Sequence, residues 1–168
     1  ERRQGYLARI VRQARAMMEI LNELLDLQRI ESRRGKDFVL AVCDLRELVR
    51  EAAQDFPPPA GRELPELLLP EEPAQVRVDR SKLQQALRNL ISNAYKYSPD
   101  GGAVQLQLAR EGANWRLDVV DHGIGLTPEQ LTRVCERFYR ADASGAISGT
   151  GLGMSIVKEI IELHGGQL

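Results

Sequence analysis

The spacing of apolar residues changes along the chain, and this change constrains the fold more than any other feature. Between Leu7 and Leu25 the apolar residues recur in steps of three and four, the spacing of one helix face. In the runs 104–108 and 115–119 they alternate with polar residues, as in half-buried strands, and 111–114 has the composition of a turn. The pattern predicts an α/β chain that combines a long helix with a sheet exposed on one face.

The first helix carries an apolar stripe too wide for an isolated helix to bury. The stripe consists of Leu7, Ile10, Ala14, Met17, Leu21 and Leu24, widened by Val11, Met18 and Leu25. We expect this helix to end near Gly35 and to pack in a helical bundle, which predicts a homodimer. The early polar face is rich in arginine and suits either an anionic partner or solvent; it contains Arg2, Arg3, Arg9, Arg12 and Arg15.

Composition limits the ligand class and the compartment. The 168 residues are 43% hydrophobic and 28% charged, which is typical of a globular chain with one core. The formal net charge of −1 predicts no bulk attraction to nucleic acid or to anionic lipid, so we expect a small ligand. Cys43 and Cys135 lack the spacing of a disulfide framework or zinc site. No apolar run reaches the roughly 20 residues that span a bilayer, and we expect a cytoplasmic location without direct membrane contact.

A second helix is predicted from about Leu45 to Gln54. Asp44 is placed to cap it, with Glu47 as the reciprocal residue of a capping box. The run 38–43 before it favours a strand, and the proline-rich segment 57–61 ends the helix.

Two short strands and a third helix follow. The segments 66–69 and 75–78 predict a hairpin around the turn 70–73. Ser81 is predicted to cap the next helix, which the Ser-Pro-Asp-Gly-Gly sequence at 98–102 terminates. The apolar face of that helix comprises Leu83, Leu87, Leu90, Ile91 and Ala94.

Asn89, Asn93 and Lys96 share the polar face of the third helix, because they are spaced by four and three residues. An asparagine carbonyl oxygen can ligate a hard cation, and an ammonium group can contact phosphate oxygens. This face is therefore suited to a Mg²⁺-nucleotide, and an ordinary solvated face is the alternative.

Asp121 ends an apolar strand and precedes a turn with Gly123 and Gly125. A carboxylate in this position can accept a hydrogen bond from an exocyclic amine such as that of adenine, and the glycines let the backbone approach a flat ring. A common Asp-Gly turn is the alternative interpretation.

Two further clusters suit phosphate binding. Residues 136–140 place two arginines around an aromatic pair, an arrangement suited to phosphate recognition. The ordinary exposed end of a surface helix is the alternative interpretation. Residues 148–153 put three glycines before the helical stretch 154–163, where backbone N–H groups and the helix dipole favour polyphosphate. A Rossmann motif requires a preceding strand, whereas 141–147 is predicted to be a flexible loop.

In order, these segments resemble the conserved boxes of sensor histidine kinases. LRNLISNAYKYSPDGG (87–102) resembles the N box, DHGIGL (121–126) the first glycine box, ERFYRAD (136–142) the phenylalanine box and SGTGLGMSIVKEIIELHGG (148–166) the second glycine box. Residues 6–35 resemble the second helix of the dimerisation and phosphotransfer hairpin. The resemblance implies a two-layer α/β sandwich of the Bergerat type, with 1–35 as the hairpin helix and 36–168 as the ATP-binding catalytic domain.

The resemblance also implies a role for each matching residue. Asn93 would ligate Mg²⁺, and ATP would contact Asn89, Lys96 and Tyr97 on its phosphate and sugar side. Asp121 would recognise adenine, with Gly123 and Gly125 shaping the ring slot. Arg140 would reach the phosphates, and the catalytic set would be Asn89, Lys96 and Arg140. The lid hinge and phosphate cradle would comprise Gly149, Thr150, Gly151, Leu152 and Gly153.

The chain departs from the family pattern at the phosphoacceptor. His122 and His164 are the two histidines, and both are predicted to be structural. Asn89 stands where gyrase-type ATPases carry a general-base Glu, and an amide cannot accept a proton at neutral pH, so attack by water is disfavoured. We therefore expect ATP-dependent transfer to a histidine outside the chain.

The expected partners are a second copy through the N-terminal helix and a response regulator receiver domain. We also expect the chain to be part of a longer protein, membrane-anchored or not, with further strands after Leu168. A degenerate nucleotide-binding scaffold without kinase activity is the alternative function, and a serine kinase of the anti-sigma type would not carry this helix.

Overall fold

The computed structural model describes residues 2–142, 147 and 149–168. The elements in this part of the chain confirm the predicted α/β class. In chain order they are α1 (Arg2–Arg33), β1 (Leu40–Asp44), α2 (Leu45–Asp55), β2 (Glu66–Leu68), β3 (Gln75–Asp79), α3 (Arg80–Lys96), β4 (Gln105–Glu111), β5 (Asn114–Val120), α4 (Pro128–Arg133) and α5 (Gly153–Leu163). No helix among these is both long and apolar enough to cross a membrane.

Helix α1 has two apolar faces. Near its end, Leu27 and Ile30 are buried against α5. Most of the stripe singled out in the sequence is exposed, namely Leu7, Ile10, Val11, Ala14, Met17, Met18, Leu21 and Leu25. Leu24 was predicted to belong to it but is half-buried and packs against the same cluster as Leu27. At about 3.6 residues per turn, Ile30 lies about 180° around the helix from Leu21. The stripe therefore remains available to a partner while the opposite face packs on the same chain.

Two small sheets form the strand layer. In one, β2 runs parallel to β4 and β4 runs antiparallel to β5, with Leu106 opposite Val119, which confirms the predicted 104–119 hairpin. In the other, β1 pairs antiparallel with β3.

The predicted hairpin between 66–69 and 75–78 is wrong, because β2 and β3 belong to different sheets. The reason is a set of long-range contacts just before β3. Ala74 is fully buried, its N–H donates to Asp44 and its carbonyl accepts from Leu45 N–H. These bonds hold β3 against β1, and a local turn signal cannot reveal them.

The buried residues form two clusters around α3 rather than the single core expected. One packs α2 and α3 on the sheet and is centred on Leu48, Val49, Leu87, Ile91 and Leu106. The other packs α1 and α5 and is centred on Leu27, Ile30, Leu152, Ile156 and Ile160. Helix α3 contributes residues to both clusters. Packing on two sides therefore sets the direction in which its polar face points.

Asp79, rather than the predicted Ser81, caps α3. Its carboxylate accepts from Lys82 N–H at 3.1 Å, from the Ser81 hydroxyl at 2.8 Å and from Val39 N–H at 2.8 Å. The helix begins at Arg80, so Ser81 already lies within its first turn. A carboxylate has more acceptor sites than a hydroxyl and can bond all three donors.

His164 connects the end of α5 to this cap, as expected of a structural histidine. Asp79 N–H donates to His164 Nε2 at 2.9 Å, and His164 Nδ1 lies 2.7 Å from the carbonyl oxygen of Ile160. A carbonyl cannot donate, so Nδ1 carries the proton and the imidazole is neutral.

Asp44 caps α2, as predicted, and organises the start of that helix, but the predicted reciprocal hydrogen bond from Glu47 is not among the bonds of the described residues. Its carboxylate accepts from the backbone and the guanidinium of Arg46 and from Ala74 N–H. Hydrogen bonds from the Arg46 side chain lower the pKa of Asp44 to about 2, against the opposing effect of burial.

We expect Asp44→Asn to lower the free energy of unfolding at pH 7 by about 1 to 2 kcal/mol, through loss of the charged cap. The folded-state pKa lies below the unfolded value, so this stabilisation is complete above about pH 4 and disappears as the pH falls towards 2. Urea midpoints should therefore differ between variant and parent at pH 7 and converge near pH 2. Asp100→Asn, at an exposed position, is the control. A difference in urea midpoint between Asp44→Asn and the parent that does not change with pH would contradict the prediction.

Candidate functional site

A cavity of about 760 Å³ opens between the polar face of α3, the turn after β5 and the loop before α5. Helix α1 closes one side. The predicted residues that line the cavity are Asn89, Asn93, Lys96, Tyr97, Asp121, Gly125, Gly149, Thr150, Gly151 and Gly153. Residues from all three segments that the resemblance assigns to one nucleotide thus line the same cavity.

The two asparagines of α3 lie against the start of α5. Asn89 Nδ2 donates to the carbonyl of Gly153 at 3.4 Å. A Cβ added to Gly153 would lie 4.0 Å from Asn93 Nδ2. The amide groups therefore face the end of α5 where the helix dipole is positive.

The Asp121 turn is bonded to the end of α3. Asp121 Oδ1 accepts from Gly123 N–H at 2.8 Å and lies 3.4 Å from the Ser98 hydroxyl, while Ile124 N–H donates to the Tyr97 carbonyl at 2.9 Å. A Cβ on Gly123 would come within 2.2 Å of that carbonyl oxygen. Gly123 thus permits the close approach but is not among the lining residues, whereas Gly125 is.

His122 is exposed and packs beside this turn, as a structural histidine would. Its Nδ1 lies 3.1 Å from the Ala103 carbonyl, and a Cβ on Gly102 would come within 2.8 Å of the His122 Cβ.

The glycine loop before α5 is anchored to the phenylalanine-containing segment. Gly151 has a φ of 75°, and its carbonyl accepts from Phe138 N–H at 2.9 Å. Thr150 Oγ1 accepts from Leu152 N–H at 3.2 Å. Leu152 was predicted to bind the cofactor, but its side chain is fully buried in the cluster with α1 and α5. Its apolar side chain packs in the core, so it cannot line the cavity.

Arg140 lies outside the large cavity. It lines a separate cavity of about 470 Å³ together with Arg133, Arg137 and Tyr139. Its guanidinium donates to the Ile147 carbonyl and lies 3.9 Å from Asp142, and its buried Nε has no hydrogen-bond partner among the described residues. Residues 143–146 of the predicted loop and Ser148 of the glycine motif lie outside the described residues.

Helix α1 contributes residues to the cavity that no sequence pattern had indicated. Ala16, Ile20 and Glu23 line the cavity, and the Thr150 hydroxyl donates to the Glu23 carboxylate. No local pattern marks these residues, because their proximity depends on how α1 packs on α5.

Cys135 also lines the cavity, where burial raises the pKa of its thiol. Both Cys43 and Cys135 are free thiols. Among the described residues no group of three or more His, Cys, Asp or Glu side chains could hold a metal ion.

Comparison with known proteins gives the family. A family model described as "Histidine kinase-, DNA gyrase B-, and HSP90-like ATPase" matches residues 78–168. The chain therefore belongs to this family. Within it, the chain is an ATP-binding catalytic domain of the sensor histidine kinase class, as its relatives indicate.

Among curated relatives, the phosphate regulon sensor protein PhoR of Pseudomonas aeruginosa is 37% identical over 167 residues, covering 96% of this chain and 37% of that protein. Sensor histidine kinase WalK of Bacillus subtilis is 33% identical over 165 residues, covering 90% of this chain and 26% of WalK. The chain thus spans well under half the length of these relatives.

Solved structures agree with the fold. Full-length ShkA in complex with AMPPNP has a TM-score of 0.76 at 25% identity and covers 98% of this chain and 35% of that one. The mycobacterial sensor histidine kinase MprB has a TM-score of 0.59 at 30% identity and covers 76% of this chain and 81% of that one.

Proposed function

We propose that this chain binds ATP with Mg²⁺ in the large cavity and transfers the γ-phosphoryl group to a histidine carried by a separate segment. The observation that supports this most is the convergence of the α3 amide face, the Asp121 turn and the glycine loop on one cavity. Residues 36–168 form the catalytic domain in this proposal, and 1–35 form the second helix of the dimerisation and phosphotransfer hairpin.

The cavity has distinct ends for base and phosphates. At one end, the Asp121 carboxylate accepts from the adenine amino group and Gly125 borders the ring. At the other end, Gly149, Gly151 and the start of α5 offer backbone N–H groups to the phosphates. Lys96 is the one basic side chain among the described lining residues and neutralises phosphate charge.

Asn93 is the proposed protein ligand of Mg²⁺. Among the described residues there is no cluster of acidic side chains, and a single amide oxygen fits a cation that would arrive bound to the nucleotide. Bound in this way, Mg²⁺ would supply neutralisation of the charge on the phosphates.

The cavity favours transfer over hydrolysis. The carboxylates among its described lining residues belong to Asp121 and Glu23, which are bonded to Gly123 N–H and to the Thr150 hydroxyl. Asn89 cannot remove a proton from water. The attacking nitrogen of a neutral imidazole carries no proton: it attacks the γ-phosphorus, the bond to the β,γ-bridging oxygen breaks, ADP leaves, and the proton on the other ring nitrogen is released to solvent. Arg140 lies in the neighbouring cavity, and in this proposal its guanidinium contacts the phosphates of bound ATP.

The phosphoacceptor comes from elsewhere, because His122 and His164 are engaged in structural contacts. In this proposal the exposed stripe of α1 forms the homodimer, and the phosphohistidine passes its phosphoryl group to a response regulator receiver domain.

Calorimetry and labelling together test the proposal. The folded chain should release or absorb heat with ATP and Mg²⁺, should label itself negligibly from γ-labelled ATP, and should label a separately prepared hairpin that carries a phosphoacceptor histidine. Binding without transfer would support the scaffold alternative. If the folded protein shows no binding of ATP, the proposed nucleotide site is wrong.

A further inference from the structure

Helix α1 brings a carboxylate to the phosphate end of the cavity. Glu23 lines the cavity together with Ile20, and its carboxylate accepts the hydroxyl hydrogen of Thr150 in the glycine loop. Thr150 also lines the cavity between Gly149 and Gly151, in the loop to which the resemblance assigns the phosphate cradle. One hydroxyl hydrogen cannot be donated fully to a carboxylate and to a phosphate oxygen at once.

Other contacts hold Glu23 in this position. Gln85 Nε2 of α3 donates to Asp26 at 3.3 Å, and Glu31 forms an ion pair with Arg137. Leu27 and Ile30, which lie between Asp26 and Glu31 along the helix, are buried, with 1% of their surface exposed. This face of α1 is therefore packed on the rest of the chain from Glu23 to Glu31, and Glu23 is part of the cavity wall.

We propose that Glu23 opposes triphosphate binding while α1 is packed on the catalytic domain. The inference rests on the proposed nucleotide site. The Glu23 carboxylate occupies the Thr150 donor, and its negative charge repels phosphate oxygens bound at this end of the cavity. Its effect grows with the number of phosphates and is absent for a nucleoside. Glu23 thus sets the affinity for the anionic part of the ligand and leaves base recognition unchanged.

The test compares Glu23→Gln with Asp26→Asn in the full chain. Both substitutions remove one negative charge from the same face of α1, but Asp26 is not among the residues that line the cavity. Glutamine retains an oxygen that can accept from Thr150, so the packing of α1 is preserved. Calorimetric titrations with ATP, ADP and adenosine, each with Mg²⁺, measure the dissociation constants.

Glu23→Gln should bind ATP about tenfold more tightly than the parent, ADP with a smaller gain and adenosine equally. Asp26→Asn should stay within about twofold of the parent for all three. Unchanged ATP affinity in Glu23→Gln would overturn the inference. Weaker ATP binding would do so too, because it would make Glu23 a favourable contact of the nucleotide complex. If the parent binds none of the ligands, the nucleotide site itself fails, which is a separate result.

Discussion

Asn93→Ala is expected to weaken binding of Mg²⁺-ATP by about 100-fold and to change the free energy of unfolding by less than about 1 kcal/mol. Asn93 lines the cavity from the polar face of α3 and is only half-buried. Its proposed contact is a charged one and is lost entirely, whereas alanine is the best helix former. Titration calorimetry with and without Mg²⁺ measures the first effect, and urea denaturation measures the second.

Asn22→Ala is the matched control for this experiment. It makes the same chemical change at an exposed position of α1 that does not line the cavity, so it should bind ATP like the parent. If Asn93→Ala also binds ATP like the parent, the proposed Mg²⁺ ligand is misplaced. A variant that unfolds would instead show that Asn93 has a structural role.

Gly151→Ala is expected to destabilise the chain by about 2 to 4 kcal/mol, from left-handed backbone strain together with steric overlap. Gly151 has a φ of 75°, and an added Cβ would lie 2.7 Å from the carbonyl carbon of Phe138. That neighbour is backbone and cannot rotate away. The same displacement of the loop should weaken ATP binding, and thermal or urea unfolding with and without ATP measures both effects.

Gly149→Ala tests whether this effect is specific. Gly149 belongs to the same loop, but an added Cβ meets no atom of the described residues within 4 Å, and its φ lies outside the left-handed range that disfavours side chains. We expect a change in stability below about 1 kcal/mol. Equal destabilisation by the two substitutions would contradict the contact between Gly151 and Phe138.

Local signals predicted the elements that carry the site. The β4–β5 hairpin followed from period-two alternation around a short turn, and the polar face of α3 followed from residues three and four apart. Such patterns are encoded within a few residues and do not depend on the rest of the chain. The predicted pairing of β2 with β3 was wrong because each strand pairs with a strand that lies far away in sequence, and a local pattern does not encode such a contact.

Two of the predicted site residues, Leu152 and Arg140, do not line the large cavity. Leu152 lies within the glycine motif, yet its side chain packs against α1 and α5, because burying an apolar side chain in the core stabilises the fold. Arg140 lines a neighbouring cavity, where Asp142 and the Ile147 carbonyl engage its guanidinium.

By itself, the order of residues determined which chemical groups each segment offers: amides on α3, a carboxylate before a glycine turn, and glycines before α5. These follow from helical and strand periodicity and from the backbone freedom of glycine, which act over short distances. Only the tertiary structure decided that the three segments share one cavity and that Glu23 of α1 contacts Thr150. Those contacts depend on the burial of Leu27 and Ile30 against α5, and burial is a property of the packed chain, which no local sequence pattern specifies.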